Sequence, residues 1–176
     1  MAHIKLPEFE EMSPAIQEKA RPILEKTGQL GDIFKLLAVD EKIYFATDEM
    51  VQNYLLKETY LSYDVKEAIA LLISKENGCK MCVDVHKSIA KMLGLSEEKI
   101  EEILQGVEAM SANEGEKALL NFCIRAAQKD SYKILKEDID AIKAYGYSDK
   151  EVLEAVSITA YFNYINTLSN VFGLGE

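Results

Sequence analysis

Apolar residues recur at helical spacing along nearly the whole chain, and this pattern constrains the fold more than any other feature. Only three of the 176 residues are proline, so little in the sequence interrupts a helix. No segment shows convincing strand alternation, and neither a linker nor a repeat of fixed period is present. The sequence therefore predicts an all-α bundle formed by a single domain over residues 1–176. Helices are predicted over residues 14–26, 32–39, 40–57, 62 or 64 to 76, 79–93, 96–105, 113–129, 136–145 and 148–172.

Capping residues mark several of these helix ends. Ser13 followed by Pro14 is typical of a helix N-terminus, and so is Ser96 with Glu97 in the first turn. Pro22 lies inside the first predicted helix, which we therefore expect to be kinked or shorter than its apolar pattern suggests.

The charge balance and the apolar windows disfavour two classes of partner. The chain has 30 Asp and Glu against 20 Lys and Arg, and a net charge of −10 repels phosphate backbones, so no nucleic-acid partner is expected. The apolar windows fall far short of the roughly 20 residues that a membrane span needs. The N-terminus lacks the apolar stretch of a signal peptide. We therefore expect a cytoplasmic protein without a membrane partner.

Two of the three cysteines, Cys79 and Cys82, lie together at a predicted helix start. On one helical turn both sulfurs face the same way and can reach bonding distance. Gly78 before the pair places the sulfurs at a helix N-terminus, where free N–H groups and the helix dipole favour thiolate. Such a start is often partly exposed, which disfavours two inert core cysteines. An odd cysteine count does not indicate a disulfide framework, so the pair is interpreted as catalytic or metal-binding.

His86 and Glu67 are the groups that could move protons at this pair. His86 follows Cys82 by four residues on the same helical face, so its imidazole can take the Cys82 proton or hold the thiolate as an ion pair. Glu67 lies on the preceding helix, which is apolar all round, and a partly desolvated carboxylate there suits a general base. The segment from Asp64 to Glu67 also fits a capping box. The spacing alone leaves both roles of Glu67 open.

Other candidates have plainer interpretations. The cysteine pair could be half of a zinc site, but His86 is the one plausible third ligand and no second pair follows. The chain is therefore expected to need neither a metal nor an organic cofactor. Cys123 lies in an apolar stretch and is interpreted as a buried small hydrophobe. Tyr161 and Tyr164 are interpreted as core or interface residues rather than catalytic ones.

The spacing of Glu67, Cys79, Cys82 and His86 resembles the signature of the AhpD-like alkylhydroperoxidases, which belong to the carboxymuconolactone decarboxylase superfamily. Residues around Glu67 are similar to the family's helix before the motif, and those following Glu154 are similar to its C-terminal helix. The N-terminal half resembles the longer, peroxidase-related branch, so the resemblance covers most of the chain.

This resemblance implies an AhpD-like helical fold and an antioxidant enzyme that reduces alkyl hydroperoxides through the dithiol. In that assignment Cys82 attacks the peroxide, Cys79 resolves the product, and His86 and Glu67 relay protons, partly through water. The resemblance also implies a homo-oligomer, a trimer or hexamer, and re-reduction by an external dithiol such as a dihydrolipoyl protein. The decarboxylase branch lacks the cysteine pair, which disfavours decarboxylation.

The chain departs from some members of that family between its two motif cysteines. Those members have a second histidine there, whereas this chain has Lys80 and Met81, and Lys80 could favour a thiolate electrostatically. Two other functions stay open at this point. One is disulfide exchange with a protein or small-thiol partner, and the other is a non-enzymatic, zinc-holding or oligomeric binding protein.

Overall fold

The computed structural model describes residues 2–175, and within them it contains nine α-helices and no β-strand. This confirms the predicted all-α class. No helix in that range has the length and apolarity needed to cross a membrane. The helices are α1 Pro14–Thr27, α2 Asp32–Leu37, α3 Glu41–Met50, α4 Tyr63–Glu76, α5 Lys80–Met92, α6 Glu97–Gln105, α7 Glu114–Ala127, α8 Lys136–Lys143 and α9 Asp149–Val171.

Helix ends follow the capping residues of the sequence. Ser13 accepts a hydrogen bond from the Ile16 amide, and Ser96 accepts one from the Lys99 amide, so both predicted N-caps are confirmed. Pro22 does not shorten α1, because the helix continues to Thr27, so that alternative is wrong and a kink at Pro22 stays a prediction. Pro22 lies on the exposed face of α1, where water can satisfy the carbonyl that loses its amide partner.

The predicted helix over residues 40–57 is divided into two parts. α3 ends at Met50, and the chain continues as one π-helical turn, Val51–Leu55. The Leu56 amide donates to the Val51 carbonyl five residues back, at 3.0 Å. The π turn places apolar side chains of this segment in the wall of the cavity described below.

α4 is the central helix of the bundle. Every residue from Lys66 to Ser74 is buried, and α4 packs against α5, α6, α7 and α9. Its apolar positions run all round the helix because neighbours cover every face. α1 to α3 form a second apolar cluster that includes Ile16, Leu37 and Tyr44. The other apolar cluster surrounds α4 and includes Ala90 of α5. It holds in place the two helices on either side of the cysteine pair.

A buried ion pair joins α4 to α9 and anchors the loop between the π turn and α4. Lys66 Nζ lies 2.9 Å from Glu154 Oε1, and both side chains are almost fully buried. The same ammonium donates to the carbonyls of Tyr54 and Lys57, each at 2.6 Å. Glu154 Oε2 accepts the Tyr60 amide at 2.9 Å. Both charges are therefore hydrogen-bonded, as buried ions require.

Candidate active site

Cys79 and Cys82 form a disulfide at the start of α5. Gly78, at φ +64°, turns the chain after α4, and the Cys79 amide donates to the Ser74 carbonyl at 2.9 Å. The two Cα atoms are 5.3 Å apart, inside the usual range for a disulfide. The spacing prediction that these sulfurs can reach bonding distance is therefore confirmed.

Both cysteines are buried, with exposed fractions of 1% for Cys79 and 3% for Cys82. The expectation of a partly exposed helix start is wrong. The pair packs against Ile165 and Tyr161 of α9 and Ile33 of α2, so a helix distant in sequence covers the turn. A reaction partner must therefore reach the sulfurs through a cavity or after a local opening.

Glu67 and His86 are hydrogen-bonded to each other. His86 Nδ1 lies 2.8 Å from Glu67 Oε2, and both side chains are largely buried. An N–H on Nδ1 donates to the carboxylate, which leaves Nε2 as the proton acceptor of a neutral ring. The ring packs edge-on against Phe162, with centroids 4.8 Å apart. Carboxylate and aromatic ring together fix the orientation of the imidazole.

The capping-box interpretation of Glu67 is wrong. α4 begins at Tyr63 after the N-cap residue Ser62, so Glu67 is the fifth helical residue and lies beyond the first turn. A carboxylate that reached back would stand at the third position, which is Val65. Within residues 2–175, the hydrogen bond of the Glu67 carboxylate goes to His86.

Ser169 is a site residue that the sequence interpretation missed. Its side chain is fully buried on α9, and its hydroxyl donates to Cys82 Sγ at 3.5 Å. By contrast, the hydrogen bonds of the described residues include none between His86 and Cys82. In the sequence Ser169 is one of several polar residues of α9, and its spacing does not identify its partner.

Asparagines of α9 hold the turn between α4 and α5. Asn77, at the end of α4, donates to Asn163 Oδ1 at 2.8 Å and Asn166 Oδ1 at 3.0 Å. Asn166 donates to Ser74 Oγ at 3.1 Å, and Asn170 donates to the Asn77 carbonyl at 2.9 Å. This polar edge of α9 fixes the backbone that precedes the cysteine pair.

An apolar cavity of about 270 Å³ opens beside the disulfide. Cys82, His86 and Glu67 lie in its wall, while Cys79 is not among the described residues that line it. Most of the remaining wall is aliphatic or aromatic, including Phe34 and Phe162. The cavity thus gives an apolar molecule access to one sulfur and to the His86 imidazole at the same time.

Cys123 lies apart from this site. It is buried within α7, and burial raises the pKa of its thiol to about 12, so it is interpreted as inert. Tyr161 lines the cavity, whereas Tyr164 is partly exposed and bonds to Thr47. Residues 2–175 contain no group of three or more His, Cys, Asp or Glu side chains that could hold a metal ion.

Comparison with known proteins gives one family match and one distant relative. The model of the Carboxymuconolactone decarboxylase family matches residues 44–124. A protein of Bacillus subtilis (strain 168), "Uncharacterized protein YdfG", is 25% identical over 117 residues, which span 66% of this chain and 79% of that protein.

Solved structures share the fold. An alkylhydroperoxidase AhpD core, the uncharacterized peroxidase-related protein from Ralstonia eutropha JMP134, has a TM-score of 0.89 and 21% identity over 98% of this chain and 90% of that chain. The debrominase Bmp8, in complex with 2,3,4-tribromopyrrole, has a TM-score of 0.79 and 18% identity over 99% of this chain and 92% of that chain. At these identities the likeness shows the fold alone.

Proposed function

We propose that this chain is an AhpD-like member of the carboxymuconolactone decarboxylase superfamily, whose family model matches residues 44–124, and that it is a thiol-dependent reductase of organic hydroperoxides with an antioxidant role. One observation carries the proposal: Cys82 and the bonded pair of His86 and Glu67 line the same apolar cavity. This arrangement brings a nucleophile, a proton acceptor and an apolar substrate volume together.

The cycle begins with the reduced dithiol. His86 Nε2 accepts the Cys82 proton through water or bound substrate in the cavity, and Glu67 stabilises the imidazolium that results. Cys82 lies in the first turn of α5, where backbone amides stabilise its thiolate. The thiolate attacks one peroxide oxygen, and the O–O bond breaks. His86 returns a proton to the departing alkoxide, so an alcohol and a sulfenic acid on Cys82 are formed.

The Cys79 thiolate then attacks the Cys82 sulfenic acid. The S–O bond breaks, a proton joins the hydroxide, and water leaves as the disulfide forms. The structure contains the disulfide that this step would produce. Cys82 is assigned the attacking role because it lines the cavity and Cys79 does not. An external dithiol, of the dihydrolipoyl type that the resemblance implies, would restore the reduced pair.

Disulfide exchange with a protein partner is the main alternative within dithiol chemistry. Such a partner would have to present its disulfide to a sulfur that is 1% or 3% exposed. Access to Cys82 through an apolar cavity of about 270 Å³ favours a small molecule. Comparing the oxidation rates of the reduced protein by cumene hydroperoxide and by oxidised lipoamide separates the two functions, and a faster reaction with lipoamide would favour exchange.

Reductive dehalogenation is a second candidate, favoured by the aromatic side chains around Cys82. A thiolate can take a bromine from a bromoarene while the carbon takes a proton. The Cys79 thiolate then displaces bromide from the Cys82 sulfur and forms the same disulfide. Incubation of the reduced protein with 2,3,4-tribromopyrrole tests this candidate. Stoichiometric release of bromide would support it, and no release would remove it.

The deciding experiment follows the thiols of the reduced protein after addition of cumene hydroperoxide. Wild type should lose two thiols and form the Cys79–Cys82 disulfide, which mass spectrometry of peptides identifies. Cys79→Ser should stop at a sulfenic acid that dimedone traps, and Cys82→Ser should not react. Cys123→Ser is the matched control and should behave as wild type. Persistence of both motif thiols in wild type would refute the peroxidase function.

A homo-oligomer forms part of the same proposal. α5 and its C-cap residue Leu93 expose large apolar side chains, which are Val85, Met92 and Leu93 itself, and such exposure is typical of contact surfaces. Sedimentation at several protein concentrations tests this expectation, and a monomer at all of them would contradict it.

A further inference from the structure

Two tyrosines in the cavity wall have phenol groups that hydrogen-bond to no other residue within the described range 2–175. Tyr44 of α3 is 2% exposed, and Tyr161 of α9 is partly buried. Among the hydrogen bonds of residues 2–175, none involves either phenol oxygen. Tyr164, one turn further along α9, differs in this respect. Its hydroxyl donates to Thr47 Oγ1 at 3.3 Å, because Thr47 gives its own proton to the Ile43 carbonyl.

Buried hydroxyls are rarely left unbonded, so these two need an explanation. No fully enclosed side-chain nitrogen or oxygen among the described residues lacks a hydrogen-bond partner. The phenol oxygens of Tyr44 and Tyr161 must therefore keep some contact with free space. Both residues line the cavity that leads to Cys82. The cavity is thus the space in which a bound molecule could meet them.

The charges of the wall restrict what these phenols can bind. Asp48 and Glu67 lie in the wall, whereas no lysine or arginine is among the described residues that line it. Asp48 is bound to Lys19 at 3.0 Å. Burial, with the nearby Asp48 carboxylate, raises the pKa of Tyr44, and burial also raises the pKa of Tyr161. Both phenols stay protonated at neutral pH and act as donors, and an anionic group would meet two carboxylates.

We propose that Tyr44 and Tyr161 form a subsite that donates hydrogen bonds to an uncharged oxygen of an apolar substrate, whose reacting group lies at Cys82. This inference rests on the proposed function and specifies its substrate class. The substrate is an apolar hydroperoxide with a second oxygen, such as a carbonyl, ether or hydroxyl group, set apart from the peroxide. A simple alkyl chain would leave both buried donors unpaired, which disfavours it.

Binding of unreactive probes tests the subsite without the reaction. Acetophenone and ethylbenzene have similar size, but acetophenone alone has a carbonyl acceptor. The whole oxidised protein is titrated with each probe, and amide chemical shifts give the Kd. Tyr44→Phe and Tyr161→Phe should each weaken acetophenone binding by about 3- to 10-fold, as expected for one lost hydrogen bond. Ethylbenzene binding should change by less than about twofold, since the apolar ring is kept.

Tyr164→Phe is the matched control, because its phenol already donates to Thr47. It should leave the Kd of both probes unchanged, and thermal unfolding checks that all three variants are folded. Equal binding of acetophenone to wild type and to both cavity variants would overturn the subsite, and so would an equal loss for ethylbenzene. If the probes bind in the expected pattern but the protein does not react with hydroperoxides, the subsite is supported and only the peroxidase function is refuted.

Discussion

The buried hydroxyl of Ser169 lies 3.5 Å from the sulfur of Cys82, although the two residues are 87 positions apart in sequence. This contact gives Cys82 a donor on the side of α9, while His86 and Glu67 face the cavity. The two sulfurs of the pair therefore differ in their surroundings. A donor near one sulfur favours its anionic form over its neutral form.

Ser169→Ala should make Cys82 less reactive in the reduced protein. Loss of the donor destabilises the thiolate, so Cys82 alkylation by iodoacetamide at pH 7 should slow by about two- to fivefold. The pH midpoint of the alkylation rate should move upward. Ser88→Ala, which removes an exposed hydroxyl of α5, is the control and should change neither quantity. An unchanged pH profile in Ser169→Ala would show that the contact has a packing role only.

His86→Asn should slow oxidation by cumene hydroperoxide by about 100-fold, the usual contribution of a positioned proton-transfer group. The measured quantity is the rate constant for thiol loss, which stopped flow gives for protein whose disulfide has first been reduced. His3→Asn is the natural comparison, since His3 is the other histidine of the chain and does not line the cavity. A loss of similar size in both variants would count against a specific role of His86.

Glu67→Gln should slow the same reaction less than His86→Asn does. The amide keeps the size of the side chain but removes the charge that stabilises the imidazolium, and it can bond His86 in the wrong tautomer. Combining both substitutions should cost little more than His86→Asn alone, because the two residues act as one unit. Additive losses on a logarithmic scale would contradict this coupling.

Lys66→Met should lower the free energy of unfolding by about 3–5 kcal/mol, because it leaves Glu154 buried without its cation. Pairing it with Glu154→Leu should recover a large part of that loss, since both buried charges are then gone. Urea unfolding measures each variant. The exposed pair of Lys91 and Glu97 gives the control, and Glu97→Gln should change the free energy of unfolding far less than Lys66→Met does. Equal costs for the two ion pairs would contradict the role of burial.

Glu154 should also make the free energy of unfolding depend on pH in the acid range. Burial alone would raise the pKa of this carboxyl, but hydrogen bonds from Thr59 and Lys66 outweigh burial and hold the pKa below its ordinary value of 4.5. A carboxyl with a lowered folded-state pKa stabilises the protein above its unfolded-state pKa, and this contribution is lost as the pH falls through the folded-state value.

The free energy of unfolding in urea should be higher for wild type than for Glu154→Gln at neutral pH, and this difference should shrink as the pH falls below about 4.5. Circular dichroism at pH values from 7 downward follows this difference. A difference that stays constant across that range would show that Glu154 keeps the same charge throughout.

Local spacing was enough to predict the helices and the approach of the Cys79 and Cys82 sulfurs to bonding distance, because both depend on residues within one or two turns. The role of Glu67 was open, since a two-residue difference in the helix start decides between a cap and a core carboxylate. Ser169 and Tyr44 were not predicted as site residues. Their neighbours at the site come from distant helices, and a serine or tyrosine on an apolar helix gives no local sign of that contact.

Lys66 and Glu67 are adjacent on α4, yet each is buried against a partner on a different helix, Lys66 against Glu154 of α9 and Glu67 against His86 of α5. A slip of α4 by one residue toward one end would place Lys66 at the His86 imidazole and an apolar residue at Glu154. A slip toward the other end would place Glu67 at Glu154 and an apolar residue at His86. Either slip would break both contacts at once and leave buried polar groups without their partners, in a region that water reaches poorly. The two neighbouring polar residues therefore specify the register of α4, because a shift of a single position would destabilise the fold through the loss of both buried contacts.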